Sequence, residues 1–472
     1  MGGALGKTGF AWAIFEWARN PYYILIVIYV FAPYFARDII GADLLASGEL
    51  AGLDAETAKQ TANARGQAAI ASVTKWAGLV AALTAPFLGA ALDRGGRRKP
   101  IVAIMLGTIA VMSWLLWYAI PGDEGLPTEL VMVILVIAYV SYTYSEVTHN
   151  SMLTAAGTPD RVPMISGLGL ALGNLAAVLM FMALVGFFVL PSMIGWPFSE
   201  PQFGVDLDKF EHMRIAGPLC AVWLAVFSIP FFTHAKDPGT KGASWIKAIR
   251  EGTGAVFSTL REASRYRQLM KYLVARMFYA DGMAALLTLG AVYVSLFLEW
   301  GFLEMTCYAL FGSLWAFAGG IFGGWLDTKV GVKAALFIEV FGMVVAFALQ
   351  LSLTKDVMLF GLVSNFQVWD GLVFQTASDL TYLALVTVVA VTATASISSS
   401  RAMLVELAPP GRSGEFFGLY AIAGTITVWM GPLLVELFTT GFNSQRIGMA
   451  SVAILFAIGA TLLAFVKVEK PE

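Results

Sequence analysis

Charged residues are scarce in this sequence. Asp, Glu, Lys and Arg make up 13% of its 472 residues, against roughly 25% in soluble globular domains, whereas 58% of the residues are hydrophobic. A chain of this composition cannot cover a compact fold with hydrated side chains, so it is predicted to be a membrane protein rather than a soluble domain. The net charge of −2 supplies no basic surplus, and we expect no nucleic-acid partner.

Reactive and metal-binding residue types are also few. The sequence has two cysteines, Cys220 and Cys307, and three histidines. The cysteines lie far apart in apolar stretches, which favours neither a disulfide framework nor a metal cluster. No nucleophile, phosphate-binding loop or metal-ligand spacing typical of an enzyme is found. We therefore expect neither enzymatic activity nor a cofactor.

Long apolar runs dominate what is present. A helix needs about 20 mostly apolar residues to cross a membrane, because each residue adds about 1.5 Å to a path of about 30 Å. The runs predict an all-α membrane protein with twelve transmembrane helices, near 10–36, 67–91, 100–120, 129–153, 164–190, 214–234, 269–298, 305–326, 334–353, 378–402, 415–438 and 445–467.

The basic residues indicate the orientation of these helices. Of the 30 Lys and Arg residues, 21 fall in segments that this helix order assigns to one side, and seven fall on the other. Loops on the cytoplasmic side of a membrane carry the excess of Lys and Arg. The sequence therefore predicts a multi-pass protein of the cell inner membrane with both termini in the cytoplasm.

One long polar stretch divides the chain. It covers 235–268 and separates a predicted six-helix bundle at 1–234 from a second at 269–472. Within it, apolar residues such as Trp245, Ile249 and Val256 recur at helical spacing among basic residues. This pattern predicts an amphipathic helix on the cytoplasmic membrane surface, and a solvated linker helix without a partner is the alternative.

The two halves share sequence. The first shared stretch repeats three residues after 234 positions: Gly89, Leu92 and Asp93 as Gly323, Leu326 and Asp327. The second repeats seven residues of 152–173 after 251 positions, at 403–424. Repeats of six helices are typical of transporters in which two bundles rock about a central site. Such bundles are in contact with membrane lipids.

The segment 89–98, Gly-Ala-Ala-Leu-Asp-Arg-Gly-Gly-Arg-Arg, resembles the cytoplasmic signature loop between helices 2 and 3 of the major facilitator superfamily. The resemblance implies that fold and a gate whose state changes during transport. A basic cluster that only sets the topology is the alternative. The predicted gating residues are Gly89, Asp93, Arg94, Arg97, Arg98 and Arg161, with Asp327 and Arg412 as their counterparts in the second half.

A finer resemblance runs along most of the chain. The segment 15–23, Phe-Glu-Trp-Ala-Arg-Asn-Pro-Tyr-Tyr, is similar to the opening of the autophagy-related vacuolar amino-acid effluxers and their bacterial relatives. The segments 166–173, 279–282, 400–420 and 431–432 agree with the same branch. The resemblance implies transport of a small polar solute, such as an amino acid or a related zwitterion.

Ionisable residues inside the predicted spans are the best indicators of a site. A charge at the bilayer centre costs at least about 2.5 kcal/mol, so retained charges usually face a cavity or a partner. By resemblance, helices 1, 4, 7 and 10 line the transport path, and the first three of them carry charged residues. The predicted substrate- and proton-binding residues on these helices are Glu16, Arg19, Asn20, Glu146, His149, Arg276 and Asp281. Structural ion pairs or side chains reaching to the membrane surface are the alternatives.

The sequence thus predicts a secondary transporter that works by alternating access. The driving ion is left open between H⁺ and Na⁺, and protons suit Glu, Asp and His because these groups change charge when desolvated. Two alternatives remain. One is a sodium-coupled symporter of sugars or lysolipids, and the other is a non-transporting factor for membrane assembly or pigment delivery with the same fold.

Overall fold

The protein is almost entirely helical, because lipid offers no hydrogen bonds and a membrane-spanning backbone must satisfy its own N–H and C=O groups. The computed structural model describes residues 2–93, 97–122, 125–158, 162–239, 261, 266–407, 419–420, 423–424 and 426–468. The longer helices are α1 (Gly6–Ala46), α2 (Ala55–Asp93), α3 (Arg98–Tyr118), α4 (Thr128–Asn150), α5 (Val162–Leu184), α6 (Glu211–His234), α7 (Arg267–Phe297), α8 (Phe302–Val330), α9 (Val332–Leu351), α10 (Ala377–Leu407), α11 (Met430–Phe442) and α12 (Gln445–Ala464).

The helical class is confirmed, whereas the count of twelve crossings is confirmed only in part. Among the described residues, ten helices are long and apolar enough to span a membrane. The run predicted at 67–91 lies within the longer helix α2. Of the run predicted at 415–438, seven residues before 426 lie outside the described residues, and its last nine belong to α11, a shorter apolar helix.

Two compact units make up the chain. The first contains Met1–Gly52 and Trp76–Phe257, and the second contains Leu53–Lys75 and Ser258–Glu472. The predicted bundles at 1–234 and 269–472 stay a prediction. The predicted amphipathic helix within 235–268 lies almost wholly outside the described residues.

The first part of α2 packs within the second unit through polar side chains. Gln67 is fully buried, and its amide donates hydrogen bonds to the Thr439 hydroxyl and the Gln445 carbonyl oxygen, both at 3.0 Å. Lys75 forms an ion pair of 2.6 Å with Glu436. The Lys75 charge therefore has a counter-ion within the span and does not need to reach the membrane surface.

A second basic contact of α2 lies outside the spans. Glu299 follows α7 and forms ion pairs with Lys59 and Lys355. Partial burial raises the pKa of the Glu299 carboxyl, but the two ammonium groups outweigh this effect and hold the pKa below its ordinary value. The carboxylate is therefore ionised at neutral pH, and the contact is lost only when the pH falls through this lowered pKa.

Helix α1 changes its hydrogen-bonding pattern along its length. The stretch Tyr22–Tyr29 is a π-helix, and Val30 N donates to the Leu25 carbonyl oxygen five residues earlier. Pro21, which has no N–H to donate, directly precedes this stretch. Wide turns of this kind occur often at functional sites, and this one begins three residues after Arg19 and six after Glu16.

A small sheet lies between α9 and α10, where the sequence indicates only a long loop. Strands β1 (Val357–Met358) and β2 (Val363–Ser364) pair antiparallel, with Val357 opposite Ser364 and Met358 opposite Val363.

Candidate functional site

The ionisable residues predicted on α1 and α4 come together in the first unit. Glu16 and Arg19 are three residues apart on one face of α1, and Arg19 Nη2 donates to both Glu16 carboxylate oxygens at 2.9 Å. Arg19 Nη1 also lies 3.6 Å from a carboxylate oxygen of Glu146 on α4. One guanidinium therefore holds two carboxylates from two helices.

His149 completes this charged cluster from α4. Its Nδ1 lies 3.2 Å from a Glu16 carboxylate oxygen, and its Nε2 lies 3.0 Å from the Trp12 carbonyl oxygen. The Trp12 indole stacks on the imidazole at 4.0 Å and donates to the His149 carbonyl oxygen. Both ring nitrogens thus face acceptors. A neutral imidazole has one N–H and can satisfy only one of them, so gaining or losing a proton changes this contact.

Tyrosines form the apolar wall of the cluster, and the sequence did not single them out as site residues. The Tyr142 ring lies 4.4 Å from the Arg19 guanidinium, and Tyr23 stacks on Tyr142 at 5.1 Å. A cation over an aromatic face is stabilised by the ring quadrupole. Helical spacing is the signal that could have found them, because Tyr142 precedes Glu146 by four residues and Tyr23 follows Arg19 by four.

The members of this cluster differ in accessibility. The Arg19 side chain is 3% exposed, whereas the Glu146 side chain is 47% exposed. Nε and Nη1 of Arg19 have no hydrogen-bond acceptor within the described part of the chain. Buried donors without acceptors are costly, which makes them available to a ligand that brings its own oxygens.

Asn20 lies beside the cluster, where α1 and α5 approach closely. Its amide nitrogen is 3.5 Å from the Asn174 amide oxygen. Gly173 on α5 permits this approach, because a Cβ added there would lie 3.0 Å from the Asn20 Cβ. Asn20, a predicted binding residue, is therefore part of a polar pair between α1 and α5.

In the second unit, Arg276 and Asp281 do not pair with each other. Arg276 Nη1 donates to the Tyr420 carbonyl oxygen at 2.9 Å, and the guanidinium lies over the Tyr420 ring at 3.4 Å. Asp281 accepts a hydrogen bond of 3.0 Å from the N–H of Gly431, at the start of α11. Five residues turn a helix by about 500°, so the two side chains leave α7 in different directions and find different partners.

Asp281 is deeply buried, with 3% of its surface exposed. One carboxylate oxygen bonds to α11, and the other has no hydrogen-bond partner among the described residues. The first N–H groups of a helix lack partners within the helix and favour negative charge. Asp281 therefore stabilises the start of α11 and leaves one oxygen unused.

Among the predicted gating residues, Arg98 has the clearest structural role. Its backbone N–H and that of Lys99 donate to the Asp237 carboxylate at 3.0 to 3.1 Å, and its Nη1 donates to the Ser151 carbonyl oxygen at 2.7 Å. Arg98 thus ties the start of α3 to the end of α4, while the neighbouring Arg97 is exposed. Gly89 and Asp93 lie in the last turns of α2, and Arg94, Arg161 and Arg412 lie outside the described residues.

Asp327, in the second copy of the signature, is partly buried and lies near the buried carboxylate of Glu339. The Ser399 hydroxyl on α10 donates to Glu339 on α9 at 3.1 Å and lies within hydrogen-bonding reach of Asp327 on α8. Glu339 has no exposed surface. Of these three residues, only Asp327 was a predicted site residue.

Comparison with known proteins agrees with this architecture. Residues 158–472 match the model of a family described as vacuole effluxer Atg22 like. The uncharacterized MFS-type transporter YxiO of Bacillus subtilis strain 168 is 22% identical over 470 residues, covering 97% of this chain and 94% of that protein. Autophagy-related protein 22-2 of Neosartorya fischeri is 22% identical over 323 residues, covering 65% of this chain and 49% of that protein.

A solved structure is similar to this chain in its three-dimensional fold. A D-xylose-proton symporter superposes with a TM-score of 0.62 at 10% identity, covering 98% of this chain and 97% of that one. At this identity the likeness concerns the fold and not the substrate. It confirms the expected major facilitator fold.

Proposed function

Since the chain belongs to the vacuole effluxer Atg22-like family, we propose that it carries a small zwitterion, such as an amino acid, across the membrane by alternating access. Membership makes the chain a membrane transporter of the MFS type, and it bears out the expectation that the protein is not an enzyme. The nature of the solute rests on the chemistry of the cluster on α1 and α4.

The observation that supports a zwitterion is the difference in exposure between Arg19, which is buried, and Glu146, whose carboxylate is accessible. Arg19 is buried with unused donors, and a solute carboxylate would supply acceptors in the bidentate geometry that guanidinium groups favour. Glu146 lies 3.6 Å away with an accessible carboxylate, which can receive a solute ammonium. In the absence of solute, the two side chains neutralise each other.

Substitution of Arg19 tests this proposal. Arg19→Lys keeps the positive charge but removes the planar pair of donors, so we expect at least about a tenfold weaker apparent affinity for the transported solute. The assay is uptake into proteoliposomes together with ligand-dependent thermal shift, using the common amino acids, a nucleoside and a pentose as probes.

Arg214 provides a matched control in the same unit. It is also 3% exposed in its side chain, pairs with a carboxylate three residues earlier and lies 4.9 Å from an indole ring. Arg214→Lys should leave solute affinity unchanged. Equal losses in the two variants, or wild-type affinity in Arg19→Lys, would show that the Arg19 cluster is structural.

The same assay separates the alternatives. A sodium-coupled sugar or lysolipid symporter would respond to the pentose or to lysolipid and require Na⁺, with no response to amino acids. A non-transporting assembly or pigment-delivery factor would show neither uptake nor a solute-dependent thermal shift.

We further propose H⁺ as the driving ion. The support is His149, whose two ring nitrogens both face acceptors and whose ring contacts the Glu16 carboxylate. A proton on the imidazole would strengthen its contact with the Glu16 carboxylate. This would weaken the interaction of Glu16 with Arg19 and leave the guanidinium closer to Glu146. The D-xylose symporter of similar fold is also named for proton coupling.

Localisation, domains and gating complete the proposal. We place the protein in the inner membrane with both termini in the cytoplasm, on the basis of the 21 basic residues assigned to one side. The proposed bundles at 1–234 and 269–472 rest on the long polar stretch 235–268 that separates them. The gate is assigned to the ends of α2 and α8 that carry Asp93 and Asp327, together with the loops that follow them. Arg98 supports this assignment, because it links the start of α3 to the end of α4.

A further inference from the structure

A cleft in the second unit lies apart from the residues proposed to bind solute. It has a volume of 580 Å³ and opens between the start of α7 and the end of α12. The described residues that line it are Arg267, Met270, Lys271, Val274, Leu462 and Phe465.

The lining follows one stripe of α7. Arg267, Met270, Lys271 and Val274 are spaced by three and four residues, which places them on one face of the helix. Arg267 is the first residue of α7, and Val274 lies about 10 Å deeper along the axis. The two basic side chains therefore lie at the end of the cleft nearest the membrane surface. The apolar side chain of Val274 lies closer to the bilayer interior.

Contacts between helix ends lie beside the cleft, next to its lining residues. The backbone N–H of Lys467, just after α12, donates to the Gln268 side-chain oxygen at 3.0 Å. Lys333 Nζ donates to the Ala464 carbonyl oxygen at 3.0 Å, and neutralises the negative end of α12. An anion near the cleft therefore meets basic side chains rather than unpaired helix carbonyls.

Two properties of the cleft identify its occupant. Within the described part of the chain, Arg267 and Lys271 form no ion pair, so their charges are available at the level of lipid headgroups. Phe465, just after the end of α12, is 67% exposed, and Val274, deeper in the cleft, is 39% exposed. A freely soluble solute would leave these apolar side chains uncovered, whereas an acyl chain would cover them.

We propose that this cleft is a binding site for an anionic glycerophospholipid. Its phosphate lies between Arg267 and Lys271, and one acyl chain runs along Val274, Leu462 and Phe465. The lipid joins the first turn of α7 to the last turn of α12, at the point where the chain enters α7 from the segment that connects the two halves.

Lipid retention measured by native mass spectrometry tests the proposal. The full-length protein is released from nanodiscs of phosphatidylcholine alone, or of phosphatidylcholine with phosphatidylglycerol. The wild type should retain phosphatidylglycerol in preference to phosphatidylcholine. The double variant Arg267→Gln/Lys271→Gln should lose about 25-fold in this preference, since each basic side chain near an anionic surface contributes about a factor of five.

Two further variants distinguish a built site from general attraction. Lys329→Gln/Arg401→Gln removes two exposed basic residues of the same unit outside the cleft, and should retain phosphatidylglycerol like the wild type. Val274→Trp keeps both charges but fills the deeper part of the cleft, and should reduce retention without changing the oligomeric profile in size-exclusion chromatography. Equal loss in the control double variant, unchanged retention in Val274→Trp, or equal retention of the two lipids would overturn the proposal.

Discussion

At the level of single residues, the two carboxylate oxygens of Asp281 differ in their contacts. Its carboxylate bonds to the Gly431 N–H on one side and has an oxygen without a hydrogen-bond partner in the described structure on the other. The first contact needs an acceptor but not a charge. A role in proton or solute binding needs the charge itself.

Asp281→Asn separates these roles, because the amide oxygen can still accept from Gly431. We expect this variant to keep a thermal unfolding temperature close to that of the wild type and to lose proteoliposome uptake. Asp281→Leu leaves the Gly431 N–H without its acceptor and should also lower stability, by about 1–3 kcal/mol. Normal uptake by Asp281→Asn would restrict Asp281 to its structural contact with α11.

His149 carries the second residue-level prediction, which concerns the pH dependence of uptake. Protonation lets both ring nitrogens donate to their acceptors, the Glu16 carboxylate and the Trp12 carbonyl oxygen. His149→Gln can donate through its amide but cannot change charge, so uptake should vary much less between about pH 5 and 8 than in the wild type.

Tyr142→Phe is the control for this experiment, because it keeps the ring over Arg19 and leaves the imidazole intact. It should retain the wild-type pH profile. If His149→Gln shows that same profile, proton coupling does not involve His149.

The packing of elements explains why local patterns found the helices but misplaced some of their ends. Helix α2 begins at Ala55, twelve residues before the apolar run that predicted it. Its first turns carry Asn63 and Gln67, whose side chains bond to Leu296 and Thr439 in the second unit. Hydropathy cannot detect a polar helical segment that is stabilised by contacts with distant parts of the chain.

A prediction at this scale concerns the start of α3. The Asp237 carboxylate accepts from the first backbone N–H groups of α3, which have no acceptors within the helix. Asp237→Ala should therefore destabilise the protein by about 1 kcal/mol, as the loss of a helix cap usually does.

Asp208→Ala is the matched control, since Asp208 is an exposed acid in a loop of the same unit. Thermal unfolding in one detergent should shift for Asp237→Ala and stay unchanged for Asp208→Ala. Equal unfolding temperatures for both variants would show that Asp237 does not contribute to the stability of α3.

For the molecule as a whole, the topology gives a prediction that does not depend on the solute. Lys236 follows α6 and Leu362 lies between the two short strands, and both are exposed. After replacement of the two native cysteines, Lys236→Cys should react with a membrane-impermeant maleimide only in inside-out vesicles. Leu362→Cys should react in intact spheroplasts. The reverse pattern would invert the proposed orientation.

The membrane location and the helical fold class of this protein follow from the sequence itself. Apolar runs of about 20 residues and the excess of Lys and Arg on one side are local properties, so they can be read without knowing which helices touch. The signature at Gly89–Arg98 and its partial copy at Asp327 likewise pointed to the major facilitator fold, which the solved symporter shares. Helical spacing also placed Glu16 with Arg19, because their contact lies within one turn.

Only the tertiary structure decided which helices supply each partner. Asp281 bonds to a backbone group 150 positions away, and Gln67 bonds to a side chain 372 positions away. Neither contact has a signal in the sequence, because periodicity specifies the face of a helix but not the neighbour that covers it. The same limit applies to Tyr142 beneath Arg19 and to the lipid cleft between α7 and α12. Both depend on how helices pack, and that packing is settled by the fit of many side chains at once.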